Sequence, residues 1–147
     1  MACPWPLKLK LWLDTESSGM TEEWRAVPKF GAYYEVSNLG EVRSMTRKVP
    51  YGRHLCTLYV GRTLKQFSNK KGYACVKLSM HGIRRTAYVH ALVLQAFVGE
   101  RPITKDRSEI RHLDGDKTNN KLNNLVYGTV VENAADRIKH NKMKATL

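Results

Sequence analysis

Cysteine is scarce in this chain, and its spacing suits neither metal nor disulfide chemistry. Cys3, Cys56 and Cys75 are odd in number, and no two form a CxxC pair. That excludes a zinc ribbon. Free thiols in a reducing cytoplasm fit this usage best. Long apolar runs are also missing, and nothing approaches the roughly 20 residues of a membrane-spanning helix. The opening Trp5-Pro6-Leu7-Lys8-Leu9-Lys10-Leu11-Trp12-Leu13 is broken by lysines and has no small-residue cleavage site, which speaks against a signal peptide. The sharpest absence is of acid. From Val42 to Gly99 there is no Asp or Glu, while Arg43, Arg47, Lys48, Arg53, Arg62, Lys65, Lys70, Lys71, Lys77, Arg84 and Arg85 all fall in that stretch. Such a segment projects a positive field wherever it folds.

The chain has 147 residues, enough for one domain with a small appendage, and 42% of them are hydrophobic. The net charge is +12. Polyanions, chiefly nucleic acid, are the expected partners. The bland alternative is a basic protein whose lysines only aid solubility.

Residues 1–20 read as an extension, with Ser17-Ser18-Gly19 as a flexible stretch and Met20 as an alternative start. From Glu23 on, Trp24, Val27, Phe30, Tyr33, Tyr34 and Val36 are punctuated by Pro28 and Gly31. That pattern predicts short strands. Val36 to Ser44 reads as strand, turn at Asn38-Leu39-Gly40, strand. Residues 45–63 read as an irregular basic loop. Gly72 to Met80 alternates, His81-Gly82 is a two-residue turn, and Ile83 to Val89 returns. His90 to Val98 takes a helical period, with Gly99 as C-cap, and 100–109 is a polar loop. Ile110 to Leu113 is a short strand followed by an Asn- and Lys-rich loop, and Leu122 to Tyr127 is the returning strand. Thr129-Val130-Val131-Glu132 fits a capping box, starting a helix from Val130 to about Lys139. The last three elements make a ββα unit.

Its residues suit phosphodiester cleavage. That reaction needs a base for water, a cation for the developing charge and donors that fix the phosphate. His112 ends a strand and is neutral near pH 7, so its imidazole can accept a proton. Asn133, one turn into the helix, offers a hard carbonyl oxygen suited to Mg2+ or Mn2+. Asn124 can hydrogen-bond across the loop and pin the backbone carrying His112. Singly, each is more often an ordinary surface or turn residue. Their joint order and spacing reverse that preference.

In that order, His112, Asn124 and Asn133 resemble the HNH nucleases of the ββα-metal fold, especially phage-type homing endonucleases. Val89-His90-Ala91-Leu92-Val93-Leu94-Gln95-Ala96-Phe97 and Asn124-Leu125 match the same branch. Glu23-Trp24 and Tyr34 to Ser44 resemble the nuclease-associated modular domain that often precedes an HNH unit. The likeness covers roughly residues 22–138. It implies an α+β protein with a small β-rich DNA-binding module at 21–65, a ββα-metal nuclease unit at 66–140 and a basic tail at 141–147. It implies His112 as general base, Asn124 as structural amide and Asn133 as ligand to one divalent ion. The substrate it implies is double-stranded DNA, nicked or cleaved.

Two departures stand out. Family members often carry a ligand such as Asp just before the catalytic histidine. Here the residue is Arg111, which cannot ligate a cation. His90, Asp114 or water must complete the sphere, and Arg111 is free to clamp a phosphate. Second, many relatives carry a helix-turn-helix after the HNH unit, and this sequence ends at Leu147. Specificity is then expected from the basic N-terminal part. The expected DNA contacts are Arg43, Arg47, Lys48, Lys70, Lys71, Arg84, Arg85 and Arg111. Arg84 and Arg85 point to opposite faces of one strand, so one of them faces DNA. Tyr73 and Tyr88 read as packing residues, and the basic tail adds nonspecific affinity. A monomer or weak dimer with no membrane partner is expected, one site cutting one strand. The rival readings are a decayed HNH scaffold that only binds DNA, which Arg111 favours, and an RNA-binding protein.

Overall fold

Tyr34, Val36 and Val42 alternate inward around a tight turn, and this alternation seeds the first sheet. In a computed structural model, which describes residues 21–103 and 107–146, β1 (Trp24–Ala26), β2 (Tyr34–Ser37) and β3 (Val42–Ser44) form an antiparallel sheet in the order β1-β2-β3. The turn at Asn38-Leu39-Gly40 is where the sequence put it. Gly40 takes a φ of 91°, which only glycine adopts without strain. The expected extension at 1–20, with Cys3, lies outside the described residues.

The irregular loop expected at 45–63 is instead a hairpin, β4 (Arg47–Tyr51) with β5 (Leu55–Tyr59). Both strands are largely exposed, so neither carries the apolar alternation that marks a half-buried strand. Arg47 fastens the hairpin by lying over the rings of Tyr33 and Tyr59, 4.7 and 4.6 Å from their centroids.

The third sheet joins β6 (Phe67–Ser68), β7 (Ala74–Met80) and β8 (Ile83–Tyr88). His81 and Gly82 both have positive φ, the requirement of a two-residue hairpin turn. Val76 and Leu78 point into the core. Lys77, Ser79, Arg84, Thr86 and Tyr88 lie on the opposite, outer face by register. Helix α1 (Val89–Phe97) follows directly, and the Gly99 N–H returns to Leu94 O at 3.0 Å with φ 120°. Its Val89, Leu92, Val93 and Leu94 meet Val27, Tyr34, Val36, Val42, Ala74, Val76, Leu78 and Leu125 in one core. Burial of each such side chain contributes about 1.5–3 kcal/mol. The N-terminal module and the ββα unit therefore share their apolar interior. Tyr34 adds a polar tie, its hydroxyl donating to Ser79 O and accepting from Ser79 N.

The ββα unit is β9 (Ser108–His112), β10 (Leu125–Thr129) and α2 (Val130–Thr146). β9 starts two residues earlier than expected. Leu122–Asn124 is a 3-10 turn ahead of β10. The capping box is formed: Glu132 N donates to Thr129 Oγ1, and Thr129 N donates to Glu132 Oε2 at 2.7 Å. α2 runs well past Lys139 and takes in most of the expected tail. It buries no residue, so the apolar period that marks helix ends in sequence is absent there.

Candidate active site

His112 is the last residue of β9 and pairs with Leu125 across the hairpin. It is only 8% exposed. Its ring packs edge-on to His90, with centroids 5.3 Å apart, and 6.1 Å from Tyr73. Its Nε2 lies 3.2 Å from Asn120 Oδ1. Asn120 is 4% exposed, and its Nδ2 donates to Thr118 O. That bond turns the amide oxygen toward the ring. An amide oxygen can only accept, so His112 Nε2 carries the hydrogen and Nδ1 keeps the lone pair. Burial pushes the His112 pKa below the ordinary histidine value, against the opposing pull of the Asn120 hydrogen bond. The imidazole is therefore neutral near pH 7.

Asn124 organises the loop after His112. Its Oδ1 accepts from Asp114 N at 3.0 Å, and its Nδ2 donates to Asp114 Oδ1 and to Asn119 O. Its carbonyl accepts from Leu113 N. Asp114 is fully engaged here. Oδ1 also accepts from Asp116 N, and Oδ2 accepts from Asn119 Nδ2 at 2.6 Å. Burial pushes this carboxyl up, but the hydrogen bonds from Asn119, Asp116 and Asn124 together hold it below the usual carboxylate range. From α2, His140 Nε2 lies 3.1 Å from Leu113 O and braces the same loop.

The other face of β9 looks at α2. Asn133 Nδ2 donates to Glu109 Oε2 at 2.6 Å. Arg111 Nε donates to Asp136 Oδ2 at 2.8 Å, and its Nη1 lies 3.5 Å from Glu132 Oε1. The Arg111 side chain is 18% exposed and passes close over Gly128, where a Cβ would lie 2.3 Å from Arg111 Cδ. Asp136 holds the guanidinium charged, and Arg111 in turn holds the Asp136 carboxyl below its ordinary value.

The three candidate metal ligands fall in three places. His90 stacks on Tyr88 at 5.3 Å beside His112, and its Nδ1 is buried without a partner. Burial, then the positive charge available to His112 and Arg101, pushes its pKa down to about 4. Asp114 is closed into its loop. Asn133 stands with Glu109, and among the described residues its Oδ1 accepts no side-chain hydrogen bond. Among those residues no three His, Cys, Asp or Glu side chains converge. The donors that do fit a hard divalent cation are the Asn133 amide oxygen and the Glu109 carboxylate.

Residues 22–79 match the model of the NUMOD4 motif, and residues 87–135 match that of an HNH endonuclease. The DNA endonuclease I-HmuI of Bacillus phage SP01 is 34% identical over 128 residues, which cover 84% of this chain and 63% of that protein. A solved structure of that HNH homing endonuclease, described as showing DNA binding and cleavage, superposes with a TM-score of 0.60 at 29% identity over 81% of this chain and 59% of that one. The chain is thus similar to HNH endonucleases, with an HNH-like segment at 87–135 behind a NUMOD4-like segment at 22–79. An uncharacterized HNH endonuclease of Acanthamoeba polyphaga mimivirus is 30% identical over 85% of this chain and 32% of its own length. The chain thus spans a third to under two thirds of these relatives.

Among the expected DNA contacts, Lys48, Lys70, Lys71, Arg84 and Arg85 are exposed. Arg84 shares the outer sheet face with Lys77 and Tyr88, which leads to His90 and His112. Arg85 pairs with Leu78 on the other face. Arg43 is held by Glu35 at 2.6 Å and lies over the Trp24 ring, and Arg47 is stacked between two tyrosines. Arg111 is committed to α2. Sequence reading missed Lys77, which the strand alternation could have supplied. It also missed Lys117, whose Nζ donates to Lys71 O and lies over Tyr73. Asn120, Glu109 and Asp136 carried no signal apart from the asparagines and acids around them.

Proposed function

We propose that the chain is a metal-dependent endonuclease that hydrolyses phosphodiester bonds in double-stranded DNA, nicking or cleaving it in the manner of a homing endonuclease. The observation that carries this reading is the His112 imidazole, buried, neutral, and fixed through Nε2 so that Nδ1 is the free acceptor. In this mechanism Nδ1 takes the proton of a water as the water attacks the scissile phosphorus. Asn120 Oδ1 steadies the imidazolium that results, as the orienting carboxylate does in hydrolase triads. Asn124 and Asp114 hold the loop so that the ring cannot turn away. Asn133 and Glu109 are the residues that would hold one Mg2+ or Mn2+; they stand on the α2 face of β9, opposite His112, so the charge stabilisation such an ion would supply requires the phosphate to reach around the end of that strand.

Lys77, Arg84 and Lys117, with the exposed Lys70 and Lys71, supply the positive face along which a duplex reaches His112. A two-stranded ribbon such as β7–β8 suits the major groove, although most of these contacts go to phosphate. One site per chain cuts one strand, so a double-strand break requires a weak dimer or two events. The place of action this reading implies is the cytoplasm of a bacterial or infected host cell.

A supercoiled-plasmid assay with Mg2+, Mn2+ or EDTA tests it. Metal-dependent open circles support the nuclease reading, and linear product indicates paired cuts. The second reading, a scaffold that only binds DNA, is favoured by one observation: Arg111 stands where relatives often place a ligand and is tied to Asp136. DNA binding with no product under any metal supports that reading instead.

A further inference from the structure

The N-terminal module meets the loop between β9 and β10 at the turn after β2. That turn is unusually well fixed. Asn38 is 2% exposed. Its side chain accepts from Glu23 N at 2.9 Å and donates to Thr21 O at 3.0 Å. Ser37 Oγ accepts from Leu39 N and Glu41 N. Gln66 Nε2 donates to Gly40 O at 2.8 Å. These bonds leave the turn little freedom. It then makes two contacts with the loop between β9 and β10. Asn38 O accepts from Leu122 N at 2.8 Å. Gly40 packs on Asn120 so closely that a Cβ there would lie 3.0 Å from both Asn120 Cβ and Asn120 O. Asn120 is the residue whose amide oxygen meets His112 Nε2.

We infer that the Asn38–Gly40 turn of the N-terminal module is a positioning element of the nuclease site, setting Asn120 and through it the rotation and tautomer of the His112 imidazole. The inference rests on His112 as the general base. The physical reason is close packing. Asn120 is buried on all sides, so its backbone cannot yield to a larger neighbour without moving its side chain. Its amide fits one orientation only, because Nδ2 is bound to Thr118 O. If Asn120 shifts, His112 loses the acceptor that selects the Nε2–H tautomer. Both tautomers then populate, and the one with hydrogen on Nδ1 cannot accept a proton from water there. The module thus completes the site as well as carrying DNA-binding surface.

The test uses the full chain with Gly40→Ala, which adds both the contact with Asn120 and backbone strain at positive φ. Three quantities are read: affinity for plasmid DNA, single-turnover nicking, and the imidazole 15N signals of His112 above its titration. The expected result is unchanged DNA affinity, nicking slowed about tenfold, the order expected for a sub-ångström misplacement, and 15N signals drawn toward a tautomer average. A folded Gly40→Ala protein with wild-type 15N signals and nicking overturns the inference. If Gly40→Ala does not fold, Gln66→Ala carries the test, since it only releases the Gly40 carbonyl. It should slow nicking about threefold with the same spectral direction, and wild-type behaviour overturns the inference. Should the nuclease reading itself fail, the 15N signals still report whether the turn sets the imidazole.

Discussion

The amide oxygen of Asn120 lies 3.2 Å from His112 Nε2, with both side chains buried. This contact decides which nitrogen of the imidazole is free. With His112 as the proposed base, Asn120 acts as a positioning residue whose loss has a pH signature. Asn120→Ala should lower the cleavage plateau about tenfold or more. Because the Asn120 bond raises the His112 pKa, its removal should move the acid limb of kcat/KM to lower pH. Asn120→Asp keeps the acceptor and adds negative charge, so it should recover part of the rate and move the limb upward. A purely structural asparagine would give neither shift.

Acid should weaken the fold before it protonates the carboxylates. His90 is held at about pKa 4 by burial, and His112 is lowered in the same way. The unfolded chain therefore binds more protons than the native state between roughly pH 6.5 and 4. Stability rises with pH across that window and is lost on acidification through it. Urea midpoints measured from pH 7 to 4 should fall accordingly, and His90→Phe should flatten the slope.

Arg111 should behave as a strand-to-helix tie. Its partner Asp136 is on α2, and both side chains are mostly shielded. Arg111→Ala and Asp136→Ala should each lower the melting temperature by roughly 3 °C. The double variant should cost less than the sum, which identifies coupling. DNA affinity should change little in Arg111→Ala, whereas a phosphate clamp would lose affinity and salt dependence.

The outer face of β7–β8 should carry the phosphate contacts. Lys77→Ala and Arg84→Ala should each reduce the slope of log K against log salt by about one. Arg85→Ala, from the other face, should leave the slope unchanged.

A shared core predicts one cooperative transition. Leu94 is buried among residues of the first sheet and of β7 and β10. Leu94→Ala should cost about 2–5 kcal/mol and lower a single unfolding midpoint seen by both tryptophan fluorescence and far-UV dichroism.

The sequence was legible wherever local chemistry is strict. The His81-Gly82 turn, the Thr129–Glu132 capping box, the Gly99 cap and the alternation of β7 each have one physical solution, and each is present. The β4–β5 hairpin was not legible, because both faces are exposed and side-chain stacking of Arg47 replaces apolar alternation. The length of α2 was hidden for the same reason, since its last turns face solvent on every side. At the candidate site, order and spacing singled out His112 and Asn124, and the fold sets Asn124 in the loop that follows His112. Asn120, four residues before Asn124 in a run of asparagines, differs from its neighbours only in what the fold packs against it. Gly40 and Asn38, far away in the chain, supply that packing. Contacts of this kind leave no local pattern to read.

The role proposed for His112, base of a DNA endonuclease, is tested most directly by single-turnover cleavage of supercoiled plasmid with Mg2+ or Mn2+, wild type beside His112→Ala, with DNA affinity measured on the same samples. The expected result is nicking by the wild type that disappears in His112→Ala at unchanged affinity. Cleavage by His112→Ala at the wild-type rate would contradict the account.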